Sequence, residues 1–203
     1  PAARRQDPVT RHISSILLIR LRYPAPSMAR RPHTAPRCPG CHLHLPLCAC
    51  AQMPALRPTT QLRLFVHVKE ARKPTNTGLL AVAACAGATS TVVGLPHEAP
   101  PVREVAPGTR PILLYPSDDA RRLTDLAQDG PFTLFVPDGS WRQAGKMRGR
   151  FLRDLPCATL GRAYATDYRL RNETKDGGMA SLEAIARAIA ELERAYWQRM
   201  TDE

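Results

Sequence analysis

The sequence predicts an α/β fold, a mostly parallel sheet with helices on both faces, and three observations carry that prediction. Short runs of β-branched and aromatic residues recur between segments of helical character, in strand-then-helix order. One run, Phe132-Thr133-Leu134-Phe135-Val136, is nearly continuous in its apolar character, as a strand covered on both faces must be. Polar segments with glycine, proline or serine follow the strand runs, where the loops of an open parallel sheet gather.

Taken in order, Leu62 to Val68 alternates and is rich in strand formers, and Leu79 to Ala88 reads as a helix of small residues built for burial. Thr91-Val92-Val93 is a short strand. Pro111 to Tyr115 is another; Pro116 ends it, and Ser117 is placed as the N-cap of a following helix. Asp118 and Asp119 then fall in the first turn, where the helix dipole favours anions. After the strand Phe132 to Val136, the turn Pro137-Asp138-Gly139-Ser140-Trp141 leads into a helix reaching about Arg150. Cys157 to Leu160 is a further short strand. In the last helix Leu182, Ile185, Ala186, Ile189, Leu192 and Tyr196 share one face, with Ser181 expected as N-cap.

A length of 203 residues suits one domain with a sizeable core plus an appendage. No stretch approaches the roughly 20 apolar residues that span a bilayer, so a soluble, cytoplasmic protein without membrane association is expected. Ile13 to Ile19 is apolar but short, and Arg20 and Arg22 interrupt it, which makes a poor signal peptide. The formal charge is +11, and nine arginines stand against the single acid Asp7 in the stretch through Gln61. That footprint suits a polyanion such as nucleic acid, although arginine as a merely solvated charge is the plainer alternative. The expected divisions are 1–36, a disordered basic extension; 37–58, a cysteine-rich knuckle; and 59–203, the α/β domain. Met28 lies just ahead of the knuckle, and the segment before it is expected to be dispensable.

Four of the six cysteines, Cys38, Cys41, Cys48 and Cys50, fall within thirteen residues. Cys-x-x-Cys lets two thiolates meet one ion, and Pro39-Gly40 permits the turn between them. Structural zinc is the first reading. The pair Cys48-Ala49-Cys50 is tighter than usual, so His42 or His44 could stand in for a sulfur; a disulfide or a redox dithiol are the other readings. Cys85 and Cys157 have no such neighbours and are expected to be buried apolar residues.

Three polar loops, His67 to Gly78, Tyr115 to Asp119 and Asp138 to Trp141, are expected at strand ends, with a fourth polar segment from Tyr168 to Gly178 before the last helix. All four are expected to converge on one pocket. The Thr75-Asn76-Thr77 stretch could offer a helix start to a carboxylate or phosphate, or could simply cap that helix.

In order, these blocks resemble the DTW-domain family. The resemblance rests on Cys-x-x-Cys with Cys-x-Cys, His67-x-x-Glu70 leading to Thr75-Asn76-Thr77-Gly78, Tyr115-Pro116-Ser117-Asp118-Asp119-Ala120, Asp138-Gly139-Ser140-Trp141 with Ala144 and Lys146-Met147, and Tyr168-Arg169-Leu170-Arg171 with Ser181-Leu182-Glu183-Ala184. It covers about Cys38 to the C-terminus. Ser140 stands where the family's name has threonine, keeping the hydroxyl and losing a methyl.

The resemblance implies a tRNA-uridine aminocarboxypropyltransferase, in which S-adenosylmethionine donates its 3-amino-3-carboxypropyl group to N3 of a tRNA uridine and methylthioadenosine leaves. It also implies kinship with SPOUT methyltransferases and their C-terminal backbone knot. On this reading Asp138 is the general base or an orienting carboxylate, with Ser140 beside it and Trp141 stacking on a base or lying in the core. Thr75, Asn76, Thr77, Arg169, Leu170, Arg171 and Glu183 would hold the amino-acid end of the donor, and Tyr115, Pro116 and Ser117 its adenosine. Zinc on Cys38, Cys41, Cys48 and Cys50 would be structural. The alternatives are a SPOUT-type RNA methyltransferase and a noncatalytic zinc-containing RNA-binding protein.

Overall fold

A computed structural model of the chain describes residues 36–126, 129–162, 166 and 178–202. Six strands, β1 Gln61–His67, β2 Thr89–Val93, β3 Arg110–Leu114, β4 Arg121–Arg122, β5 Phe132–Asp138 and β6 Cys157–Thr159, form one sheet in the order β2-β1-β5-β3-β6-β4. Every neighbouring pair is parallel. β5 lies between β1 and β3, and its run is apolar throughout because both faces are covered, with Phe132, Leu134 and Val136 in one core cluster and Phe135 in the other.

The helices are α1 Val68–Ala71, α2 Gly78–Ala84, α3 Leu123–Leu126, α4 Trp141–Met147 and α5 Ser181–Asp202, with α4 running into a π-helical turn at Arg148–Leu152. Strand alternation divides the core. Leu62, Leu64, Val66, Ile112, Leu134 and Val136 pack with residues of α2, α3 and α5, while Phe65, Leu113 and Phe135 pack with Ala144, Met147, Phe151 and Leu152. Each large apolar side chain so buried contributes roughly 1.5–3 kcal/mol. Arg63 breaks the expected alternation: it is buried, and its guanidinium donates to the carbonyls of Leu62, Gly87 and Glu104.

Three local expectations change. α2 ends at Ala84, not Ala88, because Cys85 bridges to Leu56 and Gly87 takes φ +76° to turn the chain into β2. Ser117 caps no helix. Its hydroxyl donates to Asp119 at 2.7 Å, Ala120 closes a turn on the Ser117 carbonyl, and Arg121-Arg122 pair with β6 before α3 begins. Ser181 is the first helical residue rather than the N-cap: the Ala180 carbonyl accepts the first helical bond, from Ala184, and the Glu183 carboxylate accepts the Ala180 N–H at 3.1 Å. The hydroxyl of Ser181 is thereby directed elsewhere.

The cysteine-rich segment carries two 3-10 turns, Leu45–Leu47 and Cys50–Gln52. It docks on the sheet domain through the Leu56–Cys85 bridge and through the Arg37 guanidinium, which donates to the Arg72 carbonyl. Cys85 and Cys157 are buried as expected. The extension 1–35, the sequence Tyr168 to Arg171 and most of the β6–α5 connection on which a C-terminal knot would turn lie outside the described residues. No helix among the described residues is long and apolar enough to cross a membrane.

Buried carboxylates on α5 tie it to the rest. Glu191 accepts the Gly161 N–H at 2.7 Å, just past β6, and a Cβ at Gly161 would lie 2.5 Å from Thr124 Cγ2. Glu193 accepts the Thr59 N–H, the Thr59 hydroxyl and the Thr60 N–H at 3.2, 2.7 and 2.8 Å. Glu193→Ala strands these donors under α5, and urea denaturation should show a loss of about 2–4 kcal/mol.

Candidate functional site

Asp138 closes β5 at the C-terminal edge of the sheet and is only 4% exposed. Alternation points it to the α2–α5 face, where the Asn76 amide donates to Oδ2 and the Ser181 hydroxyl donates to Oδ1. Gly78 makes room: a Cβ there would come within 3.1 Å of Oδ2 and 3.0 Å of Leu64 Cδ2. One carboxylate thus joins three chain segments.

The same segments cap one another. The Asn76 side-chain Oδ1 accepts the Leu79 N–H at 3.1 Å, the Thr77 backbone carbonyl accepts that of Leu80, and the Thr77 hydroxyl accepts the Leu182 N–H of α5 at 3.3 Å. Of the two readings of this helix start, anion site or simple capping, the Leu79 and Leu80 amides follow the second: both are taken by the protein itself. Thr75 is exposed on the turn ahead of them. Glu183, buried at the start of α5, accepts the Thr166 hydroxyl at 2.6 Å as well as the Ala180 N–H.

Beyond Gly139 the chain crosses to the other face. Ser140 caps α4 in a reciprocal box: its hydroxyl accepts the Gln143 N–H at 3.4 Å, and Gln143 Oε1 accepts the Ser140 N–H at 2.7 Å. Serine serves this cap as well as threonine. Trp141 is half-buried, not a core residue, and meets Tyr115 edge-on with centroids 6.5 Å apart. Arg148 lies 5.5 Å over the Tyr115 ring and 3.7 Å from Asp119, whose pKa is held low first by the Ser117 hydroxyl and also by Arg148. Pro116 is exposed beside them.

Among the described residues the polar loops form two clusters on opposite faces of one sheet edge; the fourth polar segment expected to join them, Tyr168 to Gly178, lies almost wholly outside the described residues. Arg169, Leu170 and Arg171 lie outside the described residues. Two groups gain a place that sequence reading had not given them. Ser181 reaches Asp138 across 43 residues, a contact with no local signal. His67, at the end of β1, accepts the Lys69 N–H on Nδ1 and packs over Gly94 and Gly139. Burial, then the Lys69 charge, lowers its pKa against an opposing pull from Glu70, so the ring is neutral at pH 7.

The four clustered cysteines converge. Their sulfurs lie within 4.8 Å of one another, with Cys38–Cys50 and Cys38–Cys48 at 3.5 Å and Cys41–Cys48 at 3.8 Å. Tetrahedral ligation at about 2.3 Å places sulfurs about 3.8 Å apart, so the set fits zinc. Neither His42 nor His44 belongs to the set. Amides of Cys41 and Gly40 draw the Cys38 thiol from 9.0 down to about 6, while contact with Cys38 and Cys48 pushes Cys50 up to about 12. One thiolate forms readily and opposes the next, a conflict that a divalent cation removes.

The DTW domain family profile matches residues 35–202. The chain is 32% identical over 96 residues to tRNA-uridine aminocarboxypropyltransferase 2 of Drosophila melanogaster, an alignment covering 44% of this chain and 37% of that protein. No solved structure matches the chain significantly.

Gly40 is the tightest point of the sulfur cradle, since a Cβ there would lie 3.0 Å from Cys50 Sγ. Gly40→Ala should weaken zinc retention against a chelator by about tenfold or more, read by metal release with a chromogenic indicator, and leave the sheet domain's melting little changed.

Proposed function

The chain belongs to the DTW domain family, and we propose that it is a tRNA-uridine aminocarboxypropyltransferase acting in the cytoplasm. In this reading S-adenosylmethionine supplies the 3-amino-3-carboxypropyl group, its sulfonium providing a neutral leaving group, methylthioadenosine. The observation that carries the reading is the family match over residues 35–202, together with the Asp138 junction at the sheet edge where that family's named residues fall.

Uridine N3–H is nearly un-ionised at pH 7, so the site must accept its proton or stabilise the anion. The N3–H proton passes to solvent water, the N3 lone pair so freed forms a bond to the γ-carbon of the butyrate chain, and the carbon–sulfur pair returns to sulfur. Of the two roles considered for Asp138, we assign it the orienting one, because both oxygens accept hydrogen bonds from Asn76 and Ser181. It fixes the distance between the Thr75-Asn76-Thr77 loop and the start of α5, so the γ-carbon and not the methyl is aimed at the base. Arg169 and Arg171 anchor the donor carboxylate in this scheme, with Leu170 between them. Glu183 shapes the same end by holding Thr166 and Ala180.

Tyr115, Pro116 and Ser117 form the adenosine side, and Trp141, set against Tyr115, offers an aromatic face to a base. Ser140 acts by setting the start of α4 and hence the Trp141 ring. Zinc on Cys38, Cys41, Cys48 and Cys50 would hold the knuckle, whose Arg37 reaches the Arg72 carbonyl in the loop that carries Asn76.

The test is incubation with S-adenosylmethionine and unmodified bulk tRNA, followed by mass spectrometry of the small product and the nucleosides. Methylthioadenosine with aminocarboxypropyluridine is expected. S-adenosylhomocysteine with a methylated base would make the protein a methyltransferase, and no product from folded, zinc-loaded protein would leave a binding module. Asp138→Ala should lower kcat/KM by about a hundredfold or more, and Ser181→Ala, which removes one of two donors, by about tenfold.

A further inference from the structure

The charge first noticed in this chain is the arginine-rich stretch before Gln61, but the folded domain carries a second concentration of its own. From Trp141 to Asp154 there are five cations, Arg142, Lys146, Arg148, Arg150 and Arg153, against one acid, Asp154. Helical geometry sorts them. Ala144, Met147, Phe151 and Leu152 turn inward to the core under α4 and the π turn, while Arg142, Lys146, Gly149, Arg150 and Arg153 are exposed. Arg142 and Lys146 lie one α-helical turn apart on α4, and Arg150 in the π turn and Arg153 at its C-cap continue the series of exposed cations along the same element.

Nearby carboxylates do little to neutralise the ridge. Asp154 pairs with Arg103, and the Glu98 carboxylate accepts the N–H groups of Gly94 and Leu95. Among the described residues, Arg142, Lys146 and Arg153 have no salt-bridge partner. At its other end the ridge joins the candidate site directly: Trp141 begins α4, and Arg148 lies over Tyr115. The π turn, a form frequent at functional sites, lies within the ridge.

We propose that this ridge is the surface on which the RNA backbone lies while a base reaches Trp141 and Tyr115. The proposal rests on the reading of tRNA as substrate and deepens it, assigning phosphate contacts to the folded domain in addition to the arginine-rich N-terminal stretch. A row of exposed, unneutralised cations on a rigid element, leading to an aromatic pair, is the arrangement that strand-tracking sites use.

The test compares the full-length chain with a triple variant, Arg142→Gln/Lys146→Gln/Arg153→Gln, in fluorescence anisotropy with labelled bulk tRNA across roughly 50–300 mM salt. Circular dichroism melts and calorimetric binding of S-adenosylmethionine should match the unmodified protein, since the three side chains are exposed. The variant should bind tRNA about tenfold more weakly or worse, and its log–log salt slope should be shallower by about two to three. A double variant, Arg121→Gln/Arg122→Gln, removes cations that already face Asp129 and Asp125 at 3.9 and 3.4 Å and should change the slope little. If tRNA binds the unmodified protein and the triple variant with equal affinity and slope, or if the double variant loses as much, the ridge proposal is wrong while the transferase reading stands. If the unmodified protein binds no tRNA, both fall.

Discussion

The buried carboxylate of Asp138 is the constraint on which the rest of the candidate site depends. It closes the strand β5, its backbone paired with Val66 of β1, and its oxygens draw in Asn76 from the β1–α2 loop and Ser181 from the start of the last helix. A carboxylate removed from water must have its acceptor sites filled, and here the donors come from segments 62 and 43 residues away. Satisfying one charge thus sets the relative position of three elements. The Thr77 hydroxyl, taking the Leu182 N–H, repeats the device with neutral groups.

Around this junction the protein divides its labour by face. The α2–α5 side is dense in mutual hydrogen bonds and carries the acid; the α4 side carries the aromatic pair Tyr115 and Trp141, the neutral His67 and the basic ridge. Gly139 is the crossing point, where a Cβ would meet Gln143 at 3.0 Å and His67 at 3.4 Å. A polyanionic substrate approaching the basic face would meet the sheet edge without being repelled by Asp138, which is buried behind it. The knuckle adds a third layer: its sulfurs are arranged as a tetrahedral ligand set needs, and its Arg37 touches the loop that supplies Asn76.

Much of this was legible in residue order. The apolar run at Phe132 to Val136 announced a strand covered on both faces, the spacing of Leu182, Ile185, Ala186, Ile189 and Leu192 announced a helix with one buried face, and four cysteines in thirteen residues announced a metal-ligating cluster. The caps were less legible. Ser117 and Ser181 have the chemistry of N-caps, but a turn rather than a helix closes at Ser117, and the first bond of α5 goes to the Ala180 carbonyl, which leaves each hydroxyl to donate to a carboxylate, Asp119 for one and Asp138 for the other. Ser140, read from the sequence only as part of a turn, is the N-cap of α4.

By itself the sequence determined the fold class, the placing of polar loops at strand ends, the cysteine cluster and, through the order of its motifs, the family. These follow from periodicity, turn chemistry and spacing, which act over a few residues and survive in one dimension. Only the tertiary structure decided that Asp138 and Trp141, three residues apart, belong to opposite faces, that Ser181 and Asn76 hold one carboxylate, and that the four cations Arg142, Lys146, Arg150 and Arg153 are exposed together beside the aromatic pair. The reason is physical: strand alternation and the filling of buried acceptors are settled by which elements pack together, and that choice is made across the whole chain at once.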